Sequence, residues 1–201
     1  TPSPCFSGGM SEADQRVRDA MAAHPRERFL PPGQRRHAAH DGPLPIGHGQ
    51  TNSQPRTVAA MLALLQVRPG DTVLDVGSGS GWTSALLAEL TGPTGSVLGL
   101  ERVPDLVAAG RAHLDGAGVP WARVREATPG TLGSPQDGPF DRILVSAMAT
   151  TLPLTLVHQL REGGILVVPV SGRMLRVVRD GTATGGRRAT EHGSYRFVPL
   201  V

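Results

Sequence analysis

The sequence contains no lysine. All 20 of its basic side chains are arginine, set against 17 acids for a net charge of +3. No basic side chain therefore loses its proton until very high pH, so a nearly balanced chain has an isoelectric point near 10.3. The arginines are scattered, with pairs at Arg35–Arg36 and Arg187–Arg188 and no continuous basic run. Aromatic residues make up 3%, too few to stack successive bases, so no nucleic-acid partner is expected. The single cysteine, Cys5, excludes an internal disulfide and fits a reducing, cytoplasmic compartment. No apolar run approaches the roughly 20 residues that span a bilayer, so no membrane association is expected. The opening TPSPCFSGGMSEADQ lacks the basic and apolar stretches of a secretory signal. Met10 reads as a natural start, and residues 1–9 as a cloning remnant or disordered tail.

What is present suits one domain over residues 10–201, with N-terminal helices and a lid loop over 10–66 and an α/β core over 67–201. Residues 12–24 read as a helix capped by Ser11 with Asp14 three positions on, its apolar residues Val17, Ala20, Met21 and Ala23. Residues 25–55 are rich in Pro, Gly, His and Gln without periodicity, the mark of a disordered stretch or a functional loop. A second helix over 55–66 carries Val58, Met61, Leu62 and Leu65 on one face. Strands are predicted at 72–76, 96–100, 122–125, 142–145 and 165–170, and helices at 83–90, 105–115 and 154–160. Near-continuous apolar strands alternating with helices imply a doubly wound, mostly parallel α/β sheet covered on both faces. Segments 174–179 and 195–200 read as a terminal antiparallel hairpin.

The stretch VLDVGSGSGW, residues 73–82, closes the first core strand with Gly77, Gly79 and Gly81. In this fold the first strand-to-helix turn meets a nucleotide-like ligand, and the glycines let it touch bare backbone. The next helix is expected to offer unpaired N–H groups to it. Glu101, ending the second strand, is placed to accept from a ribose diol. A dinucleotide fingerprint would need a glycine where Trp82 stands. The G-x-G-x-G pattern instead suits S-adenosylmethionine, which has no pyrophosphate to house.

The upstream segment DGPLPIGHGQTNSQP, residues 41–55, resembles the signature of protein-L-isoaspartate O-methyltransferases, D-x-P-L-P-I-G-x-G-Q-T-x-S-x-P. The resemblance extends over HPRERFLP, FDRILVSAMATTLP, QLREGGILVVPV and RFVPL, almost the whole chain from Met10. It implies a Rossmann-like methyltransferase that uses S-adenosyl-L-methionine and releases S-adenosyl-L-homocysteine. It implies cofactor contacts from Gln50, Thr51, Asn52 and Ser53 as a lid, and from Asp75, Gly77, Ser78, Gly79, Ser80 and Gly81 in and before the glycine loop. Glu101, Arg102, Thr128 and Gly130 complete that set. Ser53 would be the catalytic residue, with Ile46, Ser53, Ser146, Ala147 and Met148 binding substrate, the last three through main-chain hydrogen bonds. No metal is implied. A carboxylate nucleophile is already ionised at neutral pH, so positioning and exclusion of water would supply the catalysis. Ser53 would orient that carboxylate without being a nucleophile.

The sequence departs from the family pattern at three places. Thr128-Pro129-Gly130 stands where the family has G-D-G, removing the aspartate that accepts from adenine and leaving Glu126 or a backbone group to replace it. Ala39-His40 replaces an aromatic, and Met148 the second alanine of the substrate loop. His37, His40 and Asp41 form an H-x-x-H-D cluster that reads as loop hydrogen bonding rather than a metal site. His48 would contact substrate or lie exposed, while His113 and His158 fall in predicted helices as surface residues. For Ser53 the plain structural alternative is a helix N-cap ahead of Pro55.

The expectation is thus a monomeric repair enzyme that methylates the α-carboxylate of L-isoaspartyl residues in damaged proteins. One rival is a methyltransferase acting on aspartate in a dedicated precursor peptide, against which the sequence shows no recruiting domain beyond the hairpin. The other is a non-catalytic S-adenosylmethionine-binding protein, motivated by Pro129.

Overall fold

The computed structural model describes residues 11–201, so the expectations for residues 1–9, Cys5 and Met10 lie outside the described residues. Helix α1 (Glu12–Ala23) starts where the Ser11 side chain accepts from the Asp14 N–H, and it buries Val17 and Ala20. The stretch expected to be irregular is ordered. It forms 3-10 turns at Arg26–Phe29 and Pro32–His37, then an antiparallel hairpin of β1 (Leu44–Gly47) and β2 (Gln50–Asn52). At its tip His48 and Gly49 both have positive φ, 54° and 71°, as a type I′ hairpin turn requires. Helix α2 (Pro55–Leu65) follows and buries Val58, Met61, Leu62 and Leu65.

The core alternates β3 (Thr72–Val76), α3 (Trp82–Thr91), β4 (Ser96–Glu101), α4 (Pro104–Ala117) and β5 (Ala122–Glu126). It continues through β6 (Phe140–Val145), α5 (Leu154–Val157), β7 (Leu160–Val170), β8 (Arg173–Arg179) and β9 (Arg187–Ser194). The seven strands lie in the order β5-β4-β3-β6-β7-β8-β9, parallel from β5 to β7 and antiparallel beyond.

From β3 the chain steps outward to β5, then returns to add β6 and β7 on the other side. Right-handed crossovers then place α3 and α4 on one face and α5 on the other. Burial agrees. Val73, Val97 and Val167 share a core with residues of α1 to α4, whereas their neighbours Leu74, Leu98 and Leu166 pack the opposite way with Leu156 of α5. The layers are unequal, because the second face is covered by one helical turn and irregular segments contributing Leu132, Leu152 and Leu200.

Two expected elements differ. The helix expected over 154–160 stops at Val157, and Leu160 already begins β7. Between them the Gln159 side chain turns to accept from the Ser134 N–H (2.7 Å) and to donate to the Leu132 carbonyl (2.9 Å). The hairpin closes with Arg187–Ser194, not 195–200. That strand, RRATEHGS, has no buried residue, so no apolar alternation marks it. The segment after it instead lies beside Met148, whose N–H donates to Val198 (2.7 Å) and whose carbonyl accepts from Leu200 (2.8 Å).

Candidate functional site

A cavity of about 940 Å³ opens at the C-terminal ends of β3 to β6. This is where strand order reverses, the crevice in which open α/β sheets bind ligands. Its floor is the glycine loop. Gly77, Gly79 and Gly81 all have positive φ (78°, 54° and 89°), a backbone state costly for residues with a Cβ. Only Gly77 and Gly79 line the cavity, while Gly81, also expected to contact the cofactor, faces α4. Three N–H groups of the loop itself are engaged within the chain. Those of Gly77 and Ser78 donate to the Leu100 carbonyl (2.8 and 3.0 Å), and that of Gly79 to Glu101 Oε2 (3.0 Å). The glycines chiefly permit close approach. A Cβ on Gly79 would stand 3.2 Å from Ile46 Cδ1 of the hairpin, and one on Gly81 3.1 Å from Gly110 Cα of α4.

Glu101 is nearly buried, its second oxygen accepting from the Arg102 and Val103 N–H groups (2.8 and 2.9 Å). Three main-chain donors thus fix this carboxylate at the cavity wall, with capacity left to accept from hydroxyl groups. Arg102, Glu126, Thr128, Pro129 and Gly130 extend the wall past β5.

Asp75 does not line the cavity, which corrects its expected cofactor contact. It is fully buried beneath the loop, where Oδ2 accepts from the Thr83 and Ser84 hydroxyls (both 2.7 Å). Burial pushes its pKa up to about 6 against the pull of those hydroxyls. Asp75 therefore ties the start of α3 to β3. Ser78 and Ser80 do reach the cavity.

The hairpin forms the roof. Ile46, Gln50, Thr51, Asn52 and Ser53 all line the cavity. Ser53 is not the cap of α2: that position is Gln54, and Asp41 secures the helix start by accepting from the Arg56 N–H (3.1 Å). At the far wall Ser146 and Ala147 line the cavity and Met148 does not, which corrects its expected substrate contact. The main chain of Met148 is taken by residues 198 and 200, and its sulfur accepts from the Gly172 N–H (3.2 Å).

Trp82 points its indole N–H at the His24 carbonyl (2.9 Å), and the Arg26 guanidinium lies over its ring at 5.7 Å. The tryptophan thus pins the N-terminal segment to the core while contributing to the cavity wall. Sequence reasoning missed Arg26 and misplaced His113. His113 is no surface bystander, since its Nδ1 lies 2.8 Å from the Ser80 carbonyl and its ring meets Phe29 edge-on. The available signal for Arg26 was its place between apolar anchors in PRERFLP. His48 pairs with Asp105 of α4 across 3.0 Å, and His37 accepts from Arg36. Thr150, Thr151 and the segment 198–201 were also not foreseen in the wall.

Comparison with known proteins places this geometry. A family model described as Protein-L-isoaspartate(D-aspartate) O-methyltransferase matches residues 8–201. A protein-L-isoaspartate O-methyltransferase of Methanothrix thermoacetophila is 47% identical over 193 residues, covering 93% of this chain and 88% of the relative. One from Methanopyrus kandleri is 43% identical over 188 residues, covering 92% and 83%. Among solved structures, a Plasmodium falciparum protein described as a protein-L-isoaspartate O-methyltransferase in complex with S-adenosyl-L-homocysteine superposes with a TM-score of 0.81. It is 26% identical, and the match covers 96% of this chain and 92% of that one.

Proposed function

Because the chain belongs to the protein-L-isoaspartate(D-aspartate) O-methyltransferase family, we propose that it methylates the free α-carboxylate of L-isoaspartyl residues in damaged proteins. The methyl donor is S-adenosyl-L-methionine. The residues present fit that group: Gly77 and Gly79 present bare main chain to the cavity, and beside them is a carboxylate fixed by three N–H groups. When bound, it supplies an electrophilic methyl group on a sulfonium. Glu101 accepts from the ribose hydroxyls, Thr128 and Gly130 flank the adenine end, and the hairpin excludes water from above.

One observation carries the substrate reading. Beyond the cofactor end, the cavity is walled by Ser146, Ala147, Thr150, Thr151 and Leu152, with Ser53 above, and none of these is charged. A neutral groove suits a peptide main chain in many sequence contexts. The substrate carboxylate brings a negative charge there, and the Ser53 hydroxyl can orient that carboxylate by donating to it. No general base is required of the chain, since a carboxylic acid with a reference pKa near 4 is ionised at neutral pH.

Action as a monomer is part of this proposal. Among the described residues no helix is long and apolar enough to cross a membrane, and a cytoplasmic setting is part of this proposal.

The test is transfer of a labelled methyl group to matched peptides containing isoaspartate or aspartate. Transfer to the isoaspartyl peptide is expected, and Ser53→Ala should slow it by about 10- to 100-fold, the worth of a hydrogen bond to a charged group. Transfer to the aspartyl peptide alone would reassign the enzyme to a dedicated peptide substrate. Binding of the cofactor without any transfer would make it a sensor.

A further inference from the structure

Arg26 is the most unusual charge in the molecule. Its side chain is buried at 5% exposure, yet among the described residues it forms no ion pair. Its donors go to neutral oxygens instead. Nε donates to Asn52 Oδ1 (2.7 Å), Nη1 to the His40 carbonyl (3.0 Å), and Nη2 to the carbonyls of Gly42 and Asn52 (both 2.8 Å). Burial lowers its pKa to about 10, so it stays charged at neutral pH. A cation taken out of water without a carboxylate in contact is costly; here four neutral oxygens and the Trp82 ring hold it, and the charge of Asp41 favours it from a distance.

The contact with Asn52 has a chemical consequence. A guanidinium can only donate, so the amide atom facing it must be the oxygen. The Asn52 NH₂ group is thereby forced to face the other way, towards the glycine loop, where Nδ2 lies 3.5 Å from Ser80 Oγ. That is a limiting distance for a hydrogen bond. Asn52 itself lines the cavity beside Ser80. A positively polarised donor pair is thus aimed at the loop, backed by an unpaired cation one residue deeper.

We propose that Arg26 is a positioning residue that orients Asn52, so that the Asn52 amide donates to the α-carboxylate of the cofactor's amino-acid end. The inference rests on the cofactor site proposed above and adds what reads the carboxylate there. The cofactor is favoured over the substrate as the source of that carboxylate because Nδ2 faces the glycine loop, not the Ser146–Ala147 wall.

The test uses two ligands that differ in one group: S-adenosylhomocysteine and its decarboxylated counterpart, S-adenosyl-3-thiopropylamine. Both are titrated calorimetrically into the wild type and Asn52→Asp, with melting curves confirming the fold. The Asn52→Asp side chain still accepts from Arg26 and so keeps the structural tie, but it presents an oxygen where the donor stood. Wild type is expected to favour S-adenosylhomocysteine. Asn52→Asp should weaken that ligand by tenfold or more while leaving the decarboxylated one within about twofold, since a charge-assisted hydrogen bond is replaced by repulsion. Arg26→Lys, which frees the amide to turn, should narrow the same preference several-fold. Equal weakening of both ligands would mean a merely structural role, and unchanged S-adenosylhomocysteine binding would mean the carboxylate sits elsewhere; either result overturns the inference. A wild type that bound neither ligand would sink the reading of the cavity itself, a failure distinct from these.

Discussion

Asp75 sits in the fold with one carboxylate oxygen holding two hydroxyls and the other, Oδ1, without a partner among the described residues. Its folded pKa, raised from 3.8 to about 6 chiefly by burial, makes the native state hold a proton that the unfolded chain releases. Between those two values stability contributed at this site therefore falls as pH rises, and the full penalty, up to about 3 kcal/mol, is present above pH 6. Asp75→Asn removes this titration while keeping an acceptor for Thr83 and Ser84. Urea midpoints from pH 4 to 7 should show wild type losing stability relative to Asp75→Asn as pH rises; a constant difference would contradict the assignment. At this scale legibility was uneven. Glu101 and Ser53 stood out because each lies in a contiguous motif, and the structure puts both at the cavity. Arg26 and His113 did not. Their partners are main-chain carbonyls or amides 14 to 33 positions away, and such bonds leave no pattern along the chain.

Elements fared better where burial is two-sided. The strands β3 and β4 and the second half of β7, Ile165–Val170, are nearly continuous apolar runs, and those announce themselves. Strand β9 is polar on both faces, and the β1–β2 hairpin spans only seven strand residues around an His-Gly turn, so composition hid both. The turn was readable in principle, since histidine is among the residues that tolerate positive φ. The loop joining β3 to α3 shows how a single position couples two elements. A Cβ on Gly81, which has a φ of 89°, would stand 3.1 Å from Gly110 Cα of α4. Gly81→Ala should cost roughly 1–3 kcal/mol through backbone strain and separation of the two helices. Chemical denaturation measures this, and a variant as stable as wild type would show that the helices do not depend on this contact.

At the scale of the molecule, the alternation of strands and helices predicted a sheet covered on both faces, and the parallel core with its added antiparallel strands is what the chain forms. The asymmetry of the layers was not legible, because Leu132, Leu152 and Leu200 cover the second face from segments with no period. The face without long helices is where irregular segments wall a wide cavity around the strand ends. The central claim is that this one cavity brings the sulfonium methyl group and an isoaspartyl carboxylate together beneath Ser53. A crystal structure with S-adenosylhomocysteine and an isoaspartyl peptide measures it directly. The expected result is the peptide carboxylate about 2.6–3.0 Å from Ser53 Oγ, facing the ligand's sulfur. A carboxylate bound outside the space between Ser53 and the Ser146–Ala147 wall, or a ligand lying off the glycine loop, would contradict the account.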